Sequence, residues 1–271
     1  MFDFDGETPV GIDFGTTNSC IGFWNGKEVK IIPNRIGDKM TPSILYFLRN
    51  EEKYFVGEQI QQFLSLDCEK IYSIKRIIGR DFDDKNLEKD IKLLNYNIIK
   101  DTKTNKALIQ ITQKGKTKNY TPEYLSSLII KKLVDDAENL LSKPIHKVVI
   151  SVPAYFDDAQ RNSTIEAAKL AGLEVIRIIN EPTAAALSYG LGRNFCPFIK
   201  EQPSFSDLFK KNRELRKKMA AFEDKSFWLI EENRENNINN FNINSTNLFE
   251  SKGKNIMVFD LGGGTFDLAL L

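Results

Sequence analysis

Between residues 10 and 47 the chain sets short apolar runs between turn residues: Val10-Gly11-Ile12-Asp13, Cys20-Ile21-Gly22-Phe23-Trp24, Val29-Lys30-Ile31-Ile32 and Ser43-Ile44-Leu45-Tyr46-Phe47. Runs of four or five such residues bounded by turn signals predict strands, and their close spacing predicts a β-meander. Asn25-Gly26 lies between two of them and predicts a type I′ hairpin turn, because both residues tolerate positive φ. Residues 107–112 and 117–120 flank Lys114-Gly115-Lys116 and predict a second hairpin.

The period then lengthens. Thr121-Pro122-Glu123 supplies an N-cap, a proline at the first helical position and an early acid, and Tyr124, Leu125, Leu128, Ile129 and Leu133 recur at helical spacing. Residues 147–152 read as a strand, 157–171 as a helix stopped by Gly172, 175–179 as a strand, and 183–189 as a helix stopped by Gly190. Strands alternating with helices predict an α/β architecture.

From about 194 to 254 the pattern fails. Residues 210–218 hold six basic residues against one acid, and eight of the fifteen residues 233–247 are Asn. Such a stretch buries too little apolar surface to offset its ordering entropy, so a largely disordered insertion is expected. Phe205, Leu208, Phe209, Leu215, Met219 and Phe222 could nevertheless line one face of a short helix within it. Residues 255–271 return to strand, Gly-rich turn and strand.

Composition narrows the chemistry. With 41% apolar and 28% charged residues the 271-residue chain is ordinary for a globular protein, and 38 basic against 37 acidic residues leave no global field toward nucleic acid or an anionic membrane. Cys20, Cys68 and Cys196 form no CxxC pair, which argues against a disulfide framework or a zinc site and for a reducing compartment. The acidic Met1-Phe2-Asp3-Phe4-Asp5 start does not resemble a basic targeting segment, and a cytoplasmic location is expected. His146 is the only histidine, so histidine triads and multi-histidine metal sites are excluded by count. Catalysis must fall to carboxylates, lysine and backbone amides.

One pattern occurs twice. Val10-Gly11-Ile12-Asp13-Phe14-Gly15-Thr16-Thr17 and Met257-Val258-Phe259-Asp260-Leu261-Gly262-Gly263-Gly264-Thr265 each run from an apolar strand through Asp into a small-residue turn with Thr. Glycine permits positive φ and close backbone approach, so that successive N–H groups can converge on a phosphate, while an Asp at the strand end can hold Mg²⁺ through waters. A plain hairpin with an Asx bond is the competing reading of either copy, but hairpins have no need to agree at Asp and Thr. Gly115-Lys116-Thr117 resembles the tail of a Walker loop, yet Gln110 stands where its first glycine belongs, and no G-x-G-x-x-G opens a helix.

These turns, together with Ser151-Val152-Pro153-Ala154-Tyr155-Phe156 and Ile178-Ile179-Asn180-Glu181-Pro182-Thr183-Ala184-Ala185-Ala186, resemble the heat-shock protein 70 family of DnaK-type chaperones. Asn34-Arg35 followed by Thr41-Pro42-Ser43, and Lys75-Arg76-Ile77-Ile78-Gly79-Arg80, are similar to that family as well. The resemblance spans about residues 10–192 and 254–271. It implies an actin-like (ribonuclease H-like) ATPase fold of two lobes around a nucleotide cleft. Residues 1–193 would form the first lobe, 194–254 an insertion, and 255–271 the beginning of the second.

The resemblance also implies roles. Asp13, Gly15, Thr16, Thr17 and Asn18 would face the phosphates of ATP or ADP from the first lobe; Asp260, Gly262, Gly263, Gly264, Thr265 and Asp267 would do so from the second. Asp13 and Asp260 would hold Mg²⁺, through water. Lys75 matches a phosphate-contacting lysine and Glu181 a carboxylate that positions the attacking water, with Asp13, Asp260 and Thr265 completing the catalytic set. Apart from the resemblance, Lys75 reads as a solvated base beside Arg76 on a helix with Ile71, Ile74 and Ile78 inward, and Glu181 as a helix-start acid. Pro153 and Arg161 match a relay from nucleotide to a further domain. J-domain proteins and nucleotide exchange factors are the implied partners, with unfolded polypeptide as client if a peptide-binding domain exists elsewhere, and neither nucleic acid nor membrane.

The chain departs from the family at Asp157, where Asn is usual, and at the insertion. Family members also continue beyond the second turn into an adenosine pocket and a peptide-binding domain. The expected function is therefore the ATP-binding and ATP-hydrolysing domain of a chaperone, with hydrolysis slow or absent in this form; the alternative is a truncated paralogue or gene-model fragment with little or no ATPase activity, acting if at all through partner binding. A third possibility, another actin-like class such as a sugar kinase or filament protein, is disfavoured by the 152–156 and 180–183 runs.

Overall fold

The computed structural model describes residues 4–57 and 67–188, and beyond them the backbone of three strands at 229–231, 257–261 and 266–270. It divides into two compact units, Met1–Glu181 and Pro182–Leu271. In chain order the first unit contains β1 (Val10–Phe14), β2 (Asn18–Trp24), β3 (Val29–Ile32), β4 (Thr41–Pro42), β5 (Ile44–Leu48), β6 (Tyr54–Val56) and β7 (Cys68–Tyr72). A 3-10 turn (Ile74–Arg76), α1 (Lys85–Ile91), β8 (Asn97–Lys100), β9 (Ala107–Gln113), β10 (Lys116–Tyr120) and α2 (Pro122–Leu141) follow, then β11 (Lys147–Val152), α3 (Asp158–Leu170) and β12 (Glu174–Asn180). Helix α4 (Glu181–Ser188) starts at the boundary. The second unit carries β13 (Leu229–Glu231), β14 (Met257–Leu261) and β15 (Phe266–Leu270).

The central sheet runs β12-β11-β1-β2-β3, with β4 also paired to β2. Strands β1, β11 and β12 are parallel, whereas β2 and β3 continue antiparallel as the expected meander. This mixed α/β arrangement agrees with an actin-like lobe. Alternation along β1 buries Val10, Ile12 and Phe14 and turns Gly11 and Asp13 to the opposite face. The buried side joins Leu125, Ile129, Leu133 and Ala137 of α2 and Ala167 and Ala168 of α3 in one core. Each large aliphatic side chain so buried contributes about 1.5–3 kcal/mol.

Helix signals matched their elements. Thr121 Oγ1 accepts from Tyr124 N at 3.1 Å with Pro122 in the first turn of α2. Asp157 caps α3 through a reciprocal box with Gln160, and Gly172 follows it at φ +89°. Tyr189 and Gly190, expected to end α4, lie outside the described residues.

Two strand expectations need correction. The Asn25-Gly26 connection is not a two-residue type I′ turn: four residues link β2 to β3, and of the two only Gly26 has positive φ. The Asn25 side chain explains this, since its Oδ1 accepts from Lys27 N and Glu28 N and folds the loop around itself. The two-residue turn with both φ positive occurs instead at Lys114 (49°) and Gly115 (69°), between β9 and β10. That hairpin holds Gly115-Lys116-Thr117. The run at residues 43–47 does not extend the meander either; β5 pairs with β6 and β7 in a separate sheet.

In the second unit β14 pairs antiparallel with β13 and with β15, setting Asp260 opposite Asp267. The first of these partners, β13, lies within the 194–254 stretch. Gly262, Gly263, Gly264 and Thr265 fall outside the described residues, as do the apolar positions between 205 and 222.

Candidate functional site

The first Asp turn lies between the end of β1 at Phe14 and the start of β2 at Asn18. Gly15 is required there by space rather than by φ: a Cβ would stand 2.0 Å from the backbone oxygen of Asn18. Its N–H donates to Ser19 Oγ at 3.2 Å, and Ser19 Oγ lies 2.8 Å from Ser43 Oγ. Ser43 N donates in turn to Thr17 O at 2.8 Å. Among the described residues, the N–H groups of Thr16 and Thr17 meet no acceptor. They are the donors the turn offers to an anion, together with the two threonine hydroxyls. Asn18 is exposed at the start of β2.

Ser43 is brought to the turn by the loop before it. Asn34 Oδ1 accepts from Ile36 N and Asp38 N, and its Nδ2 donates to Met40 O. Arg35 Nε donates to Asp136 Oδ1 of α2 at 2.8 Å, and Asp136 also pairs with the buried Lys132 one turn earlier. The loop is thus anchored at both its tip and its base, and the Thr41-Pro42-Ser43 segment pairs beside Asn18 and Ser19.

Lys75 is not a solvated base on a regular helix. It sits 6% exposed in the 3-10 turn, while Ile71 belongs to β7. Ser73 in left-handed conformation (φ 54°) starts that turn, Ile77 caps its end, and Gly79 (φ +72°) follows against α3. Buried Ile74, Ile77 and Ile78 hold it down, so Lys75 must point inward. Its Nζ donates to Phe14 O at 2.5 Å and pairs with Glu181, and it lies 5.9 and 6.0 Å from the ring centroids of Phe14 and Phe156. Two rings and a carboxylate compensate the buried ammonium.

Glu181 follows the last residue of β12. Arg161 Nη2 donates to Asn180 Oδ1 at 2.8 Å and to Ala154 O at 3.3 Å, while its Nε donates to Phe156 O at 2.9 Å. The arginine therefore ties the Pro153–Phe156 bend to the residue beside Glu181. Pro153 is buried in that bend, and its carbonyl accepts from Phe156 N. The structure brings Asp13, Gly15, Thr16, Thr17, Lys75 and Glu181 to one end of β1, with Pro153 and Arg161 behind. Side-chain placement is described for neither Asp260 nor Asp267.

Asp13 points away from the helices, next to Cys20 on β2 and Ser151 on β11, and Ser151 Oγ donates to Asp13 Oδ1 at 2.8 Å. Burial first, and then the Asp13 carboxylate, push the Cys20 thiol up to about 11. Among the described residues no three His, Cys, Asp or Glu side chains gather as metal ligands. An exposed carboxylate at the end of β1 fits Mg²⁺, which takes one or two carboxylates and keeps its waters. The sequence did not single out Phe14, Ser19, Ser43, Ser151 or Asn180. Small hydroxyls inside strands carry no pattern of their own; only the pairing register shows what they meet.

Comparison with known proteins supplies the family. The model described as Hsp70 protein matches residues 9–201. Heat shock cognate 70 kDa protein 3 of Dictyostelium discoideum is 34% identical over 265 residues, which covers 97% of this chain and 33% of that protein. The chain thus spans about a third of the length of this curated relative. Among the described residues no helix is long and apolar enough to cross a membrane.

Proposed function

The chain belongs to the Hsp70 protein family, and from that premise we propose that it carries the ATP-binding and ATP-hydrolysing domain of a chaperone that assists protein folding. The observation that carries the reading is the convergence of Lys75 and Glu181 on the Asp13 turn, two groups remote in sequence that a structural core had no need to bury there.

In this reading the N–H groups and hydroxyls of Thr16 and Thr17 bind phosphate oxygens of ATP, with Gly15 keeping the backbone close and Asn18 at the rim. Asp13 and Asp260 would hold Mg²⁺ through water. Bound Mg²⁺ would supply charge neutralisation at the phosphate oxygens. Lys75 offers a cation to the negative charge of the transferring phosphoryl group, and Glu181 orients the attacking water by accepting a hydrogen bond from it. Gly262, Gly263, Gly264, Thr265 and Asp267 are proposed as the second set of phosphate contacts. Residues 1–193 are proposed as the first lobe, 194–254 as an insertion and 255–271 as second-lobe sequence.

Pro153 and Arg161 are proposed as the relay, because Arg161 joins the Pro153 bend to Asn180 and so to Glu181. J-domain proteins and nucleotide exchange factors are the proposed partners, unfolded polypeptide the proposed client and the cytoplasm the proposed compartment.

Single-turnover release of phosphate from Mg-ATP tests the reading. The expected result is that Glu181→Gln slows release about 100-fold, the lower range for loss of a group that handles the reacting proton, with ATP affinity unchanged. Equal rates for the two proteins would overturn it.

A further inference from the structure

The Asp13 carboxylate has little to hold it in one orientation, because its residue is exposed on the sheet face away from the core. Among the described residues, the hydrogen bond from Ser151 Oγ at 2.8 Å is the one made to that carboxylate. The register explains why the two meet. Strands β1 and β11 are parallel, and Asp13 pairs with Ser151 directly across the ladder, so their side chains leave the same face at the same level. Ser151 itself is 8% exposed and Val152 after it is fully buried, so its hydroxyl is held in packed surroundings, while the Asp13 side chain, carried on the equally well paired β1, is open to solvent. A serine hydroxyl has one proton to donate, and here it goes to Oδ1. The bond to an ionised carboxylate is charge-assisted.

We infer that Ser151 is a positioning residue: its hydroxyl fixes Asp13 through Oδ1 and leaves Oδ2 presented to the cation waters at the phosphate turn. The inference rests on the nucleotide reading above for what Asp13 serves, but not for what Ser151 does to Asp13. A hydroxyl is needed at 151, and the additional Cβ methyl of a threonine does not change that role. Threonine replaces serine without loss, and alanine does not.

Two measurements on the full chain separate these points. In ¹³C spectra the Asp13 carboxyl resonance is expected to be single and sharp in the native protein and in Ser151→Thr, and displaced and broadened in Ser151→Ala. In parallel, ADP binding is titrated with Mg²⁺ and with EDTA. Ser151→Ala is expected to weaken the Mg²⁺-dependent affinity about tenfold, as loss of an outer-shell ligand partner does, leave the EDTA value unchanged, and be rescued by Ser151→Thr. A Ser151→Ala carboxyl resonance identical to native would overturn the inference. So would equal loss with Mg²⁺ and with EDTA, which marks a general structural effect. If the native chain binds no ADP, the nucleotide reading fails, while the carboxyl resonance still decides the role of Ser151.

Discussion

Lys75 and Glu181 form an ion pair with both side chains largely withdrawn from solvent, 5% and 14% exposed, and the same ammonium caps the carbonyl of Phe14 at the start of the Asp13 turn. The pair locks three chain segments at one point: the end of β1, the 3-10 turn and the start of α4. Lys75→Met removes the cation but leaves the carboxylate, so it is expected to cost about 3 kcal/mol in urea unfolding. The double variant Lys75→Met with Glu181→Gln is expected to recover part of that loss. A double variant that loses the sum of the single losses would show that the two residues act independently.

Gly79 separates steric need from conformational need. At φ +72° a Cβ would also stand 2.6 Å from Gln160 Cα, backbone that cannot swing aside. Gly79→Ala is expected to destabilise by about 2–4 kcal/mol. At Gly115, with φ +69° and nothing within 4 Å of a Cβ, alanine should cost only about 1 kcal/mol. Thermal unfolding of the two variants measures the difference.

Asp157, at which the sequence departs from the family resemblance, has a plain structural role: it caps α3 by accepting from Gln160 N at 2.8 Å. Asn caps as well as Asp, so Asp157→Asn is expected to change stability by less than about 0.5 kcal/mol, whereas Asp157→Ala should cost about 1 kcal/mol. Chemical denaturation of both variants checks the ranking.

Cys20 gives the fold an alkaline limit. Its thiol is raised from 9.0 to about 11 in the folded chain, so the unfolded chain loses this proton first as pH rises. The contribution is fully present below about pH 9 and is lost as pH rises through about 11, by up to roughly 2 kcal/mol. Unfolding curves across that window should fall more steeply for the native chain than for Cys20→Ala. Parallel curves would contradict the assignment.

Elements with local signatures were legible in the sequence. An N-cap and a proline announced α2, Gly172 marked the end of α3, and turn residues bracketed β1 to β3. The strong Asn25-Gly26 signal failed because Asn25 carries an acceptor that closes a longer loop, while an unremarkable Lys114-Gly115 made the tight turn. At the site, the repeated turn pointed to Asp13, and the resemblance to the heat-shock protein 70 family pointed to Lys75 and Glu181. The groups that hold them did not stand out, since Ser19, Ser43, Ser151 and Asn180 acquire meaning only from strand register and from the loop that Asn34 and Arg35 fix. Burial of Lys75 was likewise illegible, because it depends on left-handed Ser73 starting the turn that aims it.

Backbone amide chemical shifts during titration with Mg-ADP test most directly whether the Asp13 turn binds phosphate. The resonances of Gly15, Thr16, Thr17 and Asn18 are expected to move, those of Lys75 and Glu181 to follow, and those of the β8-β9-β10 sheet to stay in place. A titration that leaves residues 15–18 unmoved at millimolar nucleotide, or moves only the β8-β9-β10 sheet, would contradict the account.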